Sequence, residues 1–200
     1  MLTTLTRGPL PISIEDAKVA LRIRHSLEDN VLRRKLRAAV EYIETRTNRL
    51  LSPCDLELVF GDWPECTSEP IELKVAPIRA LESFEYRDTA GDWAEVDETA
   101  FSWRRTDEGG EVFLFSTFTA PDLHPEHRDR VRIRFSAGYE VGDETGAADE
   151  ADLIIPDKAI EAVLLLAGHW FENREASTDV ELAVVPLGVK MLVDQLRIYR

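Results

Sequence analysis

Two histidines, His124 and His127, flank Pro125 and Glu126, a spacing that would let two imidazoles face one metal ion. A closed site needs a third and fourth ligand, and these are absent at any recognisable spacing. The pair reads as surface histidines in a proline-containing loop. His169 and Glu172 fall on one face of a predicted helix, where a general base and an orienting carboxylate could sit. Their neighbours Leu165, Trp170 and Phe171 point instead to a hydrogen-bonded histidine in a core or at a helix end, and no nucleophile is placed beside it. Trp63, Trp93, Trp103 and Trp170 could stack on sugars or bases, but cross-strand packing accounts for them more simply, and no basic groove accompanies them. The chain has no Gly-x-Ser-x-Gly, no Gly-rich phosphate loop before a helix and no Asp-rich calcium loop. The expectation is a protein without catalysis, metal or cofactor.

The elements that would carry these residues are of two kinds. Ser13 precedes Ile14-Glu15-Asp16 and can cap a short helix to about Leu21; Ser26 with Asp29 repeats the device. A longer helix follows, with Leu32, Leu36, Val40 and Ile43 at four- and three-residue steps and Arg33, Arg34, Lys35 and Arg37 on its polar side. From Leu56 the period drops to two. Strands are predicted over 56–60, 71–75, 81–87, 93–96, 101–104, 111–115 and 131–135, closely spaced as in an antiparallel sandwich or small barrel. Arg132 and Arg134 alternate with Ile133 and Phe135, so one face of the last strand should be wet. Residues 140–154 are acidic and loop-like. Pro156 opens an apolar helix, and Val189, Leu192, Val193 and Leu196 mark a final one reaching almost to Arg200.

The expected fold is therefore α+β: a helical bundle built from 1–51 and 155–200, an antiparallel β-sandwich or small barrel inserted at 52–139, and a flexible acidic loop at 140–154. The 200 residues are 44% hydrophobic, enough for a real core, and carry a formal charge of -14, which disfavours broad contact with nucleic acid. Cys54 and Cys66 form no ligand or redox motif and read as reduced thiols of a cytosolic protein. Neither a secretion signal nor a membrane span is expected.

Several fragments then occur in a distinctive order: Pro11-Ile12-Ser13-Ile14-Glu15-Asp16-Ala17-Lys18, the helix end Glu44-Thr45-Arg46-Thr47-Asn48-Arg49, Ala137-Gly138-Tyr139, Ile155-Pro156 and Glu172-Asn173-Arg174-Glu175. Together they resemble the head-tail connector, or adaptor, family of long-tailed bacteriophages and phage-derived gene transfer agents. The resemblance spans most of the chain. It implies a structural, non-enzymatic ring of about twelve subunits at the neck of a particle, assembled in the bacterial cytoplasm. It also implies a portal protein on one side and a stopper or tail protein on the other, with DNA passing through the channel without specific binding and no membrane contact. The alternatives are another neck protein, such as a stopper or tail terminator, and a β-sandwich glycan-binding or enzymatic domain.

Within that resemblance, three surfaces are expected to matter. The basic face at Arg33, Arg34 and Arg37 and the acidic residues Glu140, Asp143, Glu144, Asp149, Glu150 and Asp152 would form complementary patches between subunits. The end Leu196-Arg197-Ile198-Tyr199-Arg200 would dock on the portal, although Leu192 and Leu196 fit core packing equally well. The net negative charge suits the wall of a DNA conduit, and serves solubility as readily.

Overall fold

A computed structural model describes residues 1–64, 69–140, 153–173 and 185–198. The chain is α+β and divides into two units, each assembled from two stretches: Met1–Gly8 with Pro53–Gly138, and Pro9–Ser52 with Tyr139–Arg200.

The first unit holds β1 (Leu2–Arg7), β2 (Cys54–Phe60), β3 (Ile71–Leu73), β4 (Ile78–Arg87), β5 (Trp93–Glu95), β6 (Phe101–Thr106), β7 (Gly109–Leu114) and β8 (Val131–Ala137). They form a five-stranded sheet in the order β1-β2-β8-β4-β5 and a three-stranded sheet in the order β3-β7-β6, with antiparallel pairing throughout. Register follows from β8. Its Ile133 lies opposite Leu58 and Phe84 and its Phe135 opposite Leu56 and Leu81, with Val131, Ile133, Phe135 and Ala137 all buried. Arg134 faces Glu57 and Arg132 faces Glu85, so a slip of one residue would drive two guanidiniums into the core. Phe84 and Phe101 meet edge to face at 5.4 Å and join the two sheets.

β1 corrects the expectation that residues 1–8 belong to the helical unit. Its threonine-rich sequence suits a strand, it pairs with β2, and Gly8 donates its N–H to Pro53 O at 2.7 Å. All six side chains of β1 are exposed, so no buried face marked it in the sequence. Likewise the unit boundaries fall at Pro53 and Gly138, and Tyr139 is a core residue of the helical unit.

The second unit holds α1 (Ile14–Ala20), α2 (Asp29–Thr47), α3 (Asp157–Glu172) and α4 (Leu187–Leu196) around one apolar core that includes Leu32, Leu36, Ile43, Val163, Leu166 and Val189. Ser13 caps α1 by accepting from the Asp16 N–H at 3.0 Å. Arg22, at φ 58°, ends that helix, and the Ile23 N–H bonds back to Lys18 O at 2.9 Å. Ser26 does not cap α2. Its hydroxyl accepts from Lys18 Nζ at 3.1 Å, while Lys18 also pairs with Asp29 at 2.9 Å, and α2 begins after Glu28. Asn48, left-handed at φ 58°, terminates α2.

α3 ends at Glu172, where Asn173 Nδ2 donates to His169 O at 2.9 Å. That bond makes His169 and Asn173 helix-end residues. α4 stops at Leu196, short of the expected end, and Arg197 is extended.

Candidate functional site

No cluster of three or more metal-ligating side chains occurs among the described residues, and none of their helices is long and apolar enough to cross a membrane. The His124 and His127 rings meet at a tilt of 59°, 4.6 Å between centroids, with the Glu126 N–H donating to His124 Nδ1. The tryptophans share no platform. Trp63 sits with Phe84, Tyr86 and Phe118 and donates to Pro121 O at 2.9 Å, whereas Trp93 lies under the guanidiniums of Arg132 and Arg87 at 3.8 and 4.3 Å. Phe84 and Tyr86 alternate with Glu85 and Arg87 along β4, which places Trp63 and Trp93 on opposite faces of the larger sheet. Trp170 packs edge to face on Tyr42 in the helical unit. Cys54 is buried, at 4% exposure; Cys66 lies outside the described residues.

The polar face of the larger sheet is not simply wet. Arg132 makes a two-pronged bond to Glu85, at 2.7 and 3.0 Å, and reaches Glu57 at 3.5 Å; Arg134 bonds Glu57 at 3.0 Å. The side chains of Arg132 and Glu85 are only 12% and 13% exposed, because Trp93 and their own pairing cover them. Burial pushes the Glu85 carboxyl up, but hydrogen bonds from Arg132 and Ser83 and the charges of Arg132 and Arg134 outweigh it and leave it lowered. The face is therefore electrically closed on itself.

Two of the sequence fragments that carried the resemblance, the end of α2 and Tyr139, meet in the helical unit. Arg49 donates from Nε to Leu196 O at 2.9 Å and from Nη1 to Tyr139 Oη at 3.2 Å. The Ile198 N–H donates to Thr47 O at 3.1 Å, and Glu44 Oε1 accepts the Leu51 N–H at 2.8 Å. Thus the end of α2, Tyr139 and the C-terminal segment are tied together by one guanidinium and the Ile198–Thr47 backbone bond. Leu196 and Ile198 are 3% and 6% exposed, so both pack inside the unit and neither projects. Arg197 is exposed; Tyr199 and Arg200 lie outside the described residues.

Arg33, Arg34 and Arg37 all stand exposed on α2. Of the acidic run, Glu140 is described and bridges to the Leu153-Ile154 segment, its N–H bonding Leu153 O at 2.8 Å. Asp143, Glu144, Asp149, Glu150 and Asp152 lie outside the described residues. Sequence reasoning did not anticipate Arg49 as the clamp, although its place at the close of Glu44-Thr45-Arg46-Thr47-Asn48-Arg49 was the available signal.

Comparison with known proteins adds relatives to this geometry. A search of curated proteins finds no match. Among solved structures, a chain in the neck of an empty gene transfer agent (GTA) particle, computed with C6 symmetry, superposes with a TM-score of 0.75 at 23% identity. The alignment covers 100% of this chain and 96% of that one. A chain in the virion of a native GTA particle gives 0.74 at 23%, and one in the neck of a native GTA particle, computed with C12 symmetry, gives 0.73 at 24%, with the same coverage. Residues 11–83, which include α1, α2 and the Arg49 clamp, match the family described as phage gp6-like head-tail connector protein. The chain thus carries the sequence signature of the phage gp6-like head-tail connector family over residues 11–83, and the fold of GTA neck chains over its whole length.

Proposed function

We propose that this protein is a structural head-tail connector of a phage or gene transfer agent particle, a ring subunit joining the portal to the stopper or tail around the DNA exit channel. The observation that carries this reading is the agreement of two independent likenesses: a connector-family match at 11–83 and a neck-chain fold shared over the full length. Twelve subunits is the count favoured, in keeping with the C12 symmetry of one similar neck. The protein works by geometry and charge, without catalysis, metal or cofactor, in the neck of a particle assembled in the host cytoplasm. DNA would pass without specific binding, as the net charge of -14 disfavours adhesion of phosphate to the wall.

For the portal contact, the C-terminal end remains the proposed element. With Leu196 and Ile198 packed inside, the docking role falls to the exposed Arg197 together with Tyr199 and Arg200. The basic face at Arg33, Arg34 and Arg37 is proposed as one side of a subunit interface, with Glu140 and the carboxylates from Asp143 to Asp152 as acidic counterparts.

The test is to mix the purified chain with the portal of its own particle and examine the product by mass photometry and electron microscopy. Rings capping the portal are expected. A chain that stays monomeric and leaves the portal bare overturns the proposal.

A further inference from the structure

The helical unit presents two faces of opposite charge that carry no ion pair among its described residues. On α2, Arg33, Arg34 and Arg37 are exposed, and among the described residues they make no ion pair within the subunit. On α3 the core claims most of the circumference, from Ala159 through Gly168, and the outward line is Asp157, Glu161 and Leu165. Asp157 and Glu161 also lack an ion pair among the described residues, and Leu165 is 46% exposed. α2 and α3 share one core through their apolar sides, so the cationic face and the anionic line point away from that core, and among the described residues they make no ion pair with each other.

We propose that the Arg33-Arg34-Arg37 face of α2 docks on the Asp157-Glu161-Leu165 line of α3 in a second copy of this chain, head to tail. The inference rests on the connector reading and adds a helical surface, on α3, to the acidic counterparts named for that contact. Three observations favour a second copy as the occupant. First, a chain of net charge -14 repels its own kind, and a cationic face is where two copies can approach with attraction. Second, Arg33 and Arg37 are one turn apart, as are Asp157 and Glu161, so both pairs repeat at about 6 Å along their axes and can engage together. Third, in an antiparallel register Leu165 runs toward the start of α2, where Leu27 is 93% exposed, giving the charged contact an apolar neighbour. A patch that meets a different patch on its neighbour propagates around a closed ring.

The experiment uses two charge-reversed chains, Arg33→Glu with Arg37→Glu, and Asp157→Lys with Glu161→Lys, each checked for folding by circular dichroism. Assembly on the portal is titrated by mass photometry. Each chain alone should need a concentration roughly 10- to 100-fold higher than the natural chain. An equimolar mixture should regain natural assembly as an alternating ring, because each reversed face then meets its complement. Normal rings from either chain alone, or a mixture no better than its components, overturn the pairing while the connector reading stands. A natural chain that never assembles, with portal present, overturns both. Should a reversed chain unfold, Arg33→Gln with Arg37→Gln and the single change Glu161→Gln carry the same comparison: a smaller rise supports the pairing and no rise overturns it.

Discussion

Replacing Arg49 by methionine keeps the aliphatic stem and removes the donors that hold the C-terminal segment to the end of α2. A hydrogen bond from a charged donor is worth about 1.5–3 kcal/mol net. Arg49 is half-buried, so its bond to Leu196 O belongs near the lower bound, about 1.5 kcal/mol. The longer bond to the Tyr139 phenol adds about 0.5–1 kcal/mol. Arg49→Met should therefore cost about 2–2.5 kcal/mol, read as a lower urea midpoint at unchanged slope. Tyr139→Phe alone should cost about 0.5–1 kcal/mol, and the double change little more than Arg49→Met, since one partner is already gone. Arg46→Met is the control: Arg46 is exposed and its guanidinium only overlies Tyr42 at 5.3 Å, so its loss should stay within about 1 kcal/mol. An Arg49→Met chain within about 0.5 kcal/mol of the natural protein, or additivity with Tyr139→Phe, would refute the clamp.

Three further outcomes are expected. Glu85 has a folded-state carboxyl lowered from its ordinary 4.5, so the stability it contributes is complete above that value and is lost as pH falls through the folded value. Glu85→Gln should flatten this acid limb in pH-dependent urea titrations and cost about 1–2 kcal/mol at neutral pH, and an unchanged limb would contradict it. Gly109→Ala should cost at least about 3 kcal/mol by circular dichroism melts, because a Cβ there would lie 2.1 Å from Leu73 O and 2.8 Å from Val75 O at φ 149°, and both obstacles are backbone. Arg22→Gly should raise stability by about 0.5–1 kcal/mol, relieving a left-handed residue at the end of α1; a melting temperature that falls would show that the Arg22 side chain holds something in place.

The helical elements were legible because their signals are local. Ser13 and Asp16 cap α1 through their own atoms, and the spacing of Leu32, Leu36, Val40 and Ile43 is a property of α2 alone. The strands from 54 to 137 were legible for the same reason, through alternation and turn residues. β1 was not, since a strand exposed on both faces has no alternation to read and is held by its pairing with β2. The polar face of β8 was visible as alternating arginines, but its closure by Glu57 and Glu85 depends on register with strands 77 and 47 residues away. The C-terminal end was the least legible. Whether Leu196 and Ile198 pack or project turns on Arg49 and Thr47, and the Arg49 bond alone spans 147 residues. For the surface charges, the sequence showed which residue types cluster, and the structure showed which of the described ones lack a partner.

The order β1-β2-β8-β4-β5 also constrains how the protein is made. The central strand of the larger sheet is the last to leave the ribosome. β1 and β2 can pair early, as can β4 and β5, but each pair then carries one open edge until residue 137 has emerged. At about 5–20 residues per second, the interval from the end of β2 to the end of β8 is roughly 4–15 s. During that interval two nascent hairpin-like pairs expose backbone that the finished sheet conceals. Exposure to strand-on-strand aggregation is thus governed by translation speed and early chaperone access, and a more stable finished fold would not shorten it.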